Sequence, residues 1–581
     1  MAHVDGQKFK KKKKKSFLQK AKRYGKEGSY GKGRRLSEEE YNYYIRVFEQ
    51  MKHVDGEEKE ILVQNFFKEM HREGQVKSLA TNQIVSRILD DALPVAKVDQ
   101  VVSIAETFVD DLRAVCVDPY ASHVIQTLLT LSLKYIQKSP TISEEVDGEK
   151  KEKILEVSKE EKEYLQSFIT KVARFSYNNL EDFVYDTYAS HIVRSVLEVC
   201  SGIEVKDSIK SSKRAQSCHS LRQDEKEILT VPASLQDLLP DIAKRFMMLP
   251  NFSGVISCEC GSAAVQSLLL VLNTKDEQLC SQVINHIINH GLPGIEQGDA
   301  ESSNDVAAVF NNNPATRLLE IVLSSATTEQ QDIIYSQYFE GKLSILVTHK
   351  IGNFALQRLL SSWKNKENFE SVFSEVTSSF EDAYNCRHTG VIYSLVAACA
   401  RLQTQQSNCL QAIVRLLQCH EPDSRQILVV PMLLRFLNYD TYHQKKSAIE
   451  GMPAISLHGT LIIQEVMKFN KPIKVVNSLL EMSSSELQHM ASDPRGSHIV
   501  DAFVGSSFIG EKSRDKLIMR MKGTYTSLAC SKHGSRSLEA LWRVANIKNK
   551  TTICTELVDD ELKLKGNHFG TIIYNNFQVW Y

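Results

Sequence analysis

No stretch of this 581-residue chain comes near the roughly 18 consecutive apolar residues that a membrane-spanning helix needs. The first residues are polar and lysine-rich, without the apolar run that opens a secretory signal, so the expected compartment is the cell interior and the twelve cysteines are expected to be reduced. None of them forms a Cys-x-x-Cys. Cys258 and Cys260 stand isolated, and most others lie inside apolar runs such as Val396–Ala400. The expectation is buried thiols in a core, with no metal and no other cofactor. Also absent are a glycine-rich phosphate loop, a His-Glu-x-x-His pair and any gathering of acids beside a pocket-like apolar segment, which argues against an enzyme. Strand-period alternation is missing as well, leaving an all-α chain.

The formal net charge is zero but unevenly spread. Residues 1–35 hold fourteen Lys or Arg against Asp5 and Glu27, a sum of +12, so residues 36–581 must sum to −12. The Lys10–Lys15 run and the scarcity of apolar residues predict a disordered basic tail over 1–36, suited to nuclear or nucleolar targeting and to non-specific attraction for phosphate. Ser37-Glu-Glu-Glu40 then opens a helix with a capping-box signature, and Tyr41, Tyr44, Ile45, Phe48 and Met51 give it an apolar face able to cap a repeat array.

What the sequence does have is one phrase written many times. Asp493-Pro-Arg-Gly-Ser-His-Ile-Val-Asp501 returns as Ser531-Lys-His-Gly-Ser-Arg-Ser-Leu-Glu539, 38 residues on, inside the range where self-similarity means a solenoid. Relatives begin at Ser122, Ser190, Ser262, Thr316, Asn353, Val391, Thr460 and Thr571, with a degenerate first copy at Asn82, giving about eleven. Each has a small residue, a polar one, a variable one, two mostly apolar ones and a variable polar one. Counting from the first polar residue as position one, the first and fifth residues share a face on a helix and the apolar pair turns to the core, predicting one exposed polar stripe per repeat. The regular spacing, with Gly and Pro kept to the joints, predicts an all-α superhelix over 37–581 built of three-helix units. Three stretches interrupt it as loops outside the core, near 137–162, 201–226 and 291–305. A 69-residue gap between Val391 and Thr460 either hides a degenerate copy around Arg425–Asn438 or holds longer helices.

The residue types in the stripe suit single-stranded RNA, which is read by hydrogen bonds to base edges and by stacking between flat side chains. The first and fifth residues would supply the hydrogen bonds; a His, Arg or aromatic at the second would supply a stacking surface, about 1–3 kcal/mol per base. Six copies hold a complete set: Ser122/His123/Gln126, Ser190/His191/Arg194, Thr316/Arg317/Glu320, Asn353/Phe354/Gln357, Ser497/His498/Asp501 and Ser535/Arg536/Glu539. Ser262/Gln266 and Thr460/Gln464 keep the edge pair without the flat residue, while Val391, Ile392 and Leu395 cannot bond a base edge. A peptide-gripping scaffold of the HEAT or armadillo kind is the competing reading, favoured by the acidic repeat region. It has no need of His, Arg or Phe recurring beside a Ser or Asn.

The pattern resembles the pumilio (PUF) family of RNA-binding repeats, on nearly the whole chain after the first forty residues. That resemblance implies a right-handed α-solenoid of about eleven three-helix repeats curved into a C or U, lying antiparallel to single-stranded RNA. It also implies a reading code. Asn353 with Gln357 would take uracil in the middle, Ser535 with Glu539 guanine towards the 5′ end, and Ser122 with Gln126 adenine towards the 3′ end. The order of copies, the long insertions and the basic N-terminus are similar to the nucleolar protein 9 branch of the family. This implies a nucleolar location, precursor rRNA as the ligand, a part in 18S rRNA maturation and small-subunit biogenesis, and proteins of the pre-ribosomal particle as partners of a monomer.

Overall fold

In a computed structural model the protein is described over residues 17–26, 28, 30–73, 76–137, 141–146, 149–154, 157–203, 230–292, 306–446 and 454–577. The motif copies fall on eleven helices. They are α1 (Gln83–Ala92), α2 (Ala121–Gln137), α3 (Ala189–Ser201), α4 (Glu259–Lys275), α5 (Asn313–Ser325), α6 (Gly352–Ser362), α7 (Thr389–Leu402), α8 (Leu457–Val466), α9 (Ser497–Gly505), α10 (Gly534–Val544) and α11 (His568–Asn576). The chain forms two compact units, Met1–Leu292 and Pro293–Tyr581. In the first, α1 packs on α2, α2 on α3 and α3 on α4; in the second, α5 to α11 pack on one another in chain order. This is an α-solenoid, and its core is the run of apolar pairs between neighbouring motif helices. Val124 and Ile125, Leu318 and Leu319, and Ile499 and Val500 are all fully buried.

Most motif helices follow a longer helix and then a short one, as in Val98–Val109, Leu112–Val117 and α2, or Glu511–Arg520, Tyr525–Ala529 and α10. Side chains from one repeat close the backbone of the one before. Glu375 accepts from the Leu343 amide at 2.8 Å, opening the short helix of the preceding repeat, and Glu556 does the same for Tyr525 at 2.7 Å. Arg401 donates to the carbonyls of Trp363 and Leu360 at 2.6 and 3.1 Å.

Four expectations change. The tail is not disordered to residue 36: Phe17–Lys26 is a helix, with Phe17 edge-on to Phe48 at 5.9 Å and the Tyr41 hydroxyl donating to the Ala21 carbonyl at 2.8 Å. Its apolar residues fall on one face, enough to dock it on helix Glu38–His53, whose Ser37/Glu40 capping box is formed. Residues 1–16 lie outside the described residues. Second, the 137–162 insertion is not all loop. Strands β1 (Thr141–Val146) and β2 (Glu149–Ile154) pair antiparallel, Thr141 opposite Ile154, and the next helix, Lys159–Asn178, already begins behind its Ser158 cap. Third, no extra motif helix is found between α7 and α8 among the described residues: Thr389 on α7 meets His458 on α8 at 2.7 Å, and the short helix Val429–Arg435 takes the place where a degenerate copy was considered. The extra length lies on both sides of that short helix, with Asp423–Leu428 before it and Tyr439–Lys446 after it. The fourth concerns the polar stripe and is described with the site. Of the insertions expected at 201–226 and 291–305, residues 204–226 and 293–305 lie outside the described residues.

Candidate nucleic-acid interface

Nine of the eleven motif helices are started by a side chain four residues before the first polar position; α1 is capped by Asn82 itself, and α7 has no side-chain cap. Asp118 Oδ1 accepts from the amides of Tyr120 and Ala121, both at 2.8 Å, and Asp186 repeats this with Tyr188 and Ala189 at 2.8 and 2.7 Å. Asp493, Asn312, Asn567, Ser456, Ser531, Cys258 and the Nδ1 of His349 fill the same role in their copies. These acceptors satisfy amides that have no partner within the helix. The small residue before the first polar position is required by the short helix beneath. A Cβ on Gly459 would stand 1.8 Å from the Leu433 carbonyl oxygen, and one on Gly496 would stand 2.3 Å from that of Met490. Cap and close approach together fix the rotation of each helix, and hence which side chains face out.

That rotation corrects the expected stripe. The first polar residues, Ser122, Ser190, Ser262, Thr316, Asn353, Thr460, Ser497 and Ser535, are all buried. They are short side chains in the crevice behind the small residue, and they bond locally: Thr316 Oγ1 to the carbonyls of Val309 and Asn312, Thr460 Oγ1 to that of Leu457, Ser190 Oγ to that of Thr187. Several hold the fifth residue. Gln357 Nε2 donates to Asn353 Oδ1 at 2.9 Å and Gln266 Nε2 to Ser262 Oγ at 2.9 Å, while Gln126 and Gln464 donate to the carbonyls of Ser122 and Thr460.

The exposed ribbon is carried by the second and fifth positions. His123, His191, Arg317, Phe354, His498 and Arg536 are exposed, Asp501 with them, and Gln126, Arg194, Glu320, Gln357 and Glu539 are half-buried; Gln266 and Gln464 are buried. Phe354, 42% exposed, is a large apolar ring left open on a helix whose neighbours Ala355 and Leu356 are fully buried. In the first unit α2 and α3 present His123/Gln126 beside His191/Arg194. Arg194 reaches across to Ser267 Oγ on α4 at 3.2 Å, and burial lowers its guanidinium pKa, with Glu198 and Cys260 opposing. In the second unit the ribbon has two patches, α5–α6 and α9–α10. Between them Val391, Ile392 and Leu395 of α7 and Leu461 of α8 are buried, so that stretch offers no flat residue at the second position.

On α5, burial raises the Glu320 pKa, and Arg358 and Arg317 offset part of the rise. Arg358 was missed in the sequence. It stands four residues after Phe354 and so shares its face. The capping residues were missed too, although their constant offset of four was a readable signal. Among the described residues no group of three or more His, Cys, Asp or Glu could hold a metal ion, and no helix is long and apolar enough to cross a membrane.

Comparison with known proteins agrees with the repeat fold. Residues 74–572 match the family described as the NOP9-like PUF repeat domain. The chain is 28% identical to Nucleolar protein 9 of Mus musculus over 561 residues, 93% of this chain and 86% of that one. It is 23% identical to Pumilio homolog 23 of Arabidopsis thaliana, over 90% of this chain and 68% of that protein. Among solved structures, that of APUM23 with GGAUUUGACGG superposes with a TM-score of 0.73 at 20% identity, covering 94% of this chain and 97% of that one.

Proposed function

This chain belongs to the NOP9-like PUF repeat family, and on that premise we propose that it binds single-stranded RNA along the ribbon of second- and fifth-position side chains. Its place in the cell is the nucleolus, its ligand precursor rRNA, and its role small-subunit biogenesis at the 18S region among proteins of the pre-ribosomal particle. The names of the relatives, Nucleolar protein 9 foremost, support the location. It acts by binding, as a monomer, and not by catalysis.

The observation that carries the reading is the register. His, Arg or Phe stands exposed at the same motif position on α2, α3, α5, α6, α9 and α10, in each case one residue after a buried polar side chain. Flat cationic or aromatic surfaces at the solvent edge of stacked helices suit bases, whose faces stack on any such surface. A peptide groove gives no reason for that recurrence. The buried first residue serves as the partner that orients the fifth, and the fifth meets the base edge.

Selection from random RNA with the wild type, Gln357→Glu and Phe354→Ala tests this. A motif should be enriched by the wild type, Gln357→Glu should move one position from uracil towards guanine, and Phe354→Ala should weaken binding with its preference kept. If the wild type enriches no motif and binds peptides of the pre-ribosomal proteins instead, the scaffold reading replaces this one.

A further inference from the structure

The first motif copy is closed by the chain's own N-terminal segment. Residues 30–36, Tyr-Gly-Lys-Gly-Arg-Arg-Leu, cross the start of α1 as a strap. Gly33 pairs with Asn82 as an isolated antiparallel bridge. The Gln83 amide donates to the Lys32 carbonyl at 3.0 Å, the Arg34 amide to that of Thr81 at 3.4 Å, and Asn82 Nδ2 to that of Arg34 at 2.8 Å. The contact is made for glycine. Gly31 and Gly33 have φ of +92° and +87°, and a Cβ on Gly33 would stand 2.0 Å from the Thr81 carbonyl oxygen and 3.0 Å from the ring of Tyr120, which leads into α2.

Asn82 is left with nothing to offer a base. It is fully buried, its Oδ1 accepts from the amides of Ile84 and Val85, and its Nδ2 is held by the strap. Ser86, the fifth residue of the copy, is buried as well. The strap presents other chemistry at this place. Arg34 lies within 3.9 Å of Glu40, whereas Lys32 and Arg35 are exposed and neither forms an ion pair among the described residues. Lys20 and Lys26, on the docked helix just before, are exposed too. Lys32 and Arg35 sit on an anchored strap whose Gly33 lies against Tyr120 at the entry to α2, in a chain whose residues 36–581 sum to −12.

We propose that the strap ends the base-reading ribbon and replaces its first site with a phosphate site. Lys32 and Arg35 hold the sugar-phosphate backbone of the RNA running on past the nucleotide over α2, and α1 reads no base. The proposal rests on the RNA-binding reading above and adds to it where reading stops.

The test uses the full chain and three RNAs: the motif selected by the wild type, and the same motif lengthened by three abasic nucleotides at its 5′ or at its 3′ end. One of the two extensions should tighten wild-type binding several-fold although it carries no base. Lys32→Ala with Arg35→Ala should remove that gain and lower the salt slope on that RNA by about 1.4, at about 0.7 per phosphate contact on a single strand, while the unextended RNA binds as before. Gly33→Val, which forces the strap off α1, should lose the gain and become cleavable by trypsin after Lys32. The proposal is overturned if neither extension tightens binding, if the gain survives in the double variant, or if selection on longer RNA enriches a base opposite α1. Wild type that binds no RNA of any length overturns the functional reading and this one with it.

Discussion

At the scale of single residues, the site divides the work between a buried and an exposed position. Asn353 is 2% exposed and its Oδ1 is occupied by Gln357 Nε2, so the base would meet the amide of Gln357 in an orientation set from behind. Substituting the exposed partner should therefore matter more than substituting the buried one. Gln357→Glu alone should shift the preference at one position by about 1–3 kcal/mol, the cost of an unpaired polar group in a closed contact. Asn353→Ser alone should shift it less but lower stability, because Asn353 Nδ2 also donates to the carbonyls of His349 and Lys350. Competition binding with uracil- and guanine-bearing RNAs, alongside urea unfolding, separates the two effects. An equal or larger shift from Asn353→Ser would mean that the buried residue itself reaches the base. Phe354→Ala removes only a stacking surface and should cost about 1–3 kcal/mol of affinity whatever base lies there.

At the scale of elements, what sets each motif helix is its entry. The Asp186 cap joins two amides, and its replacement by Ala should cost about 0.5–2 kcal/mol. Gly459→Ala should destabilise by about 1–3 kcal/mol through overpacking, since the added Cβ meets the backbone oxygen of Leu433 and not a flexible side chain. The joint between α7 and α8 is held differently, by His458, whose Nδ1 lies 2.7 Å from Thr389 Oγ1 and whose ring stacks on Tyr393 at 6.3 Å. Burial lowers its pKa, so the neutral ring is the folded form. With the folded value below the unfolded one of about 6.5, its contribution is complete above about pH 6.5 and is lost as the pH falls through the folded value. Melting at about pH 7.5 and about pH 5.5 should therefore show a drop in the wild type that shrinks in His458→Phe, which keeps the ring stack and cannot titrate. A drop of the same size in both would place the pH dependence elsewhere.

At the scale of the whole molecule, the repeat count and the helical class could be read because a period of about 38 residues is written in side chains that also build the core, such as Gly496-Ser-His-Ile-Val500. The facing of the helices could not be read from periodicity alone. It is set by the approach of one backbone to another, as at Gly459 and Leu433, between residues 26 apart in a segment whose length is irregular. The hairpin was legible in part, since Asp147-Gly148 is a two-residue turn signal, but charged strands such as Glu149–Ile154 show no apolar alternation. The basic segment misled for a related reason. Its composition is that of a disordered chain, yet Phe17, Ala21 and Tyr30 find partners on helix Glu38–His53, and Leu36 is buried. Two truncations make that difference measurable. Removing residues 1–16 takes away Lys8 and the Lys10–Lys15 run, which should flatten the salt dependence of RNA binding and leave both base preference and the unfolding midpoint unchanged, because phosphate contacts position without specifying. Removing residues 1–36 should flatten the salt dependence further, because Lys32 and Arg35 go too, and also uncover Tyr41 and Phe48, at about 1.5–3 kcal/mol for each large side chain returned to water. Hydrogen exchange along Glu38–His53 should then quicken only in the longer truncation. Equal protection in the two truncated chains would show that the docked helix contributes nothing to the stability of the first unit.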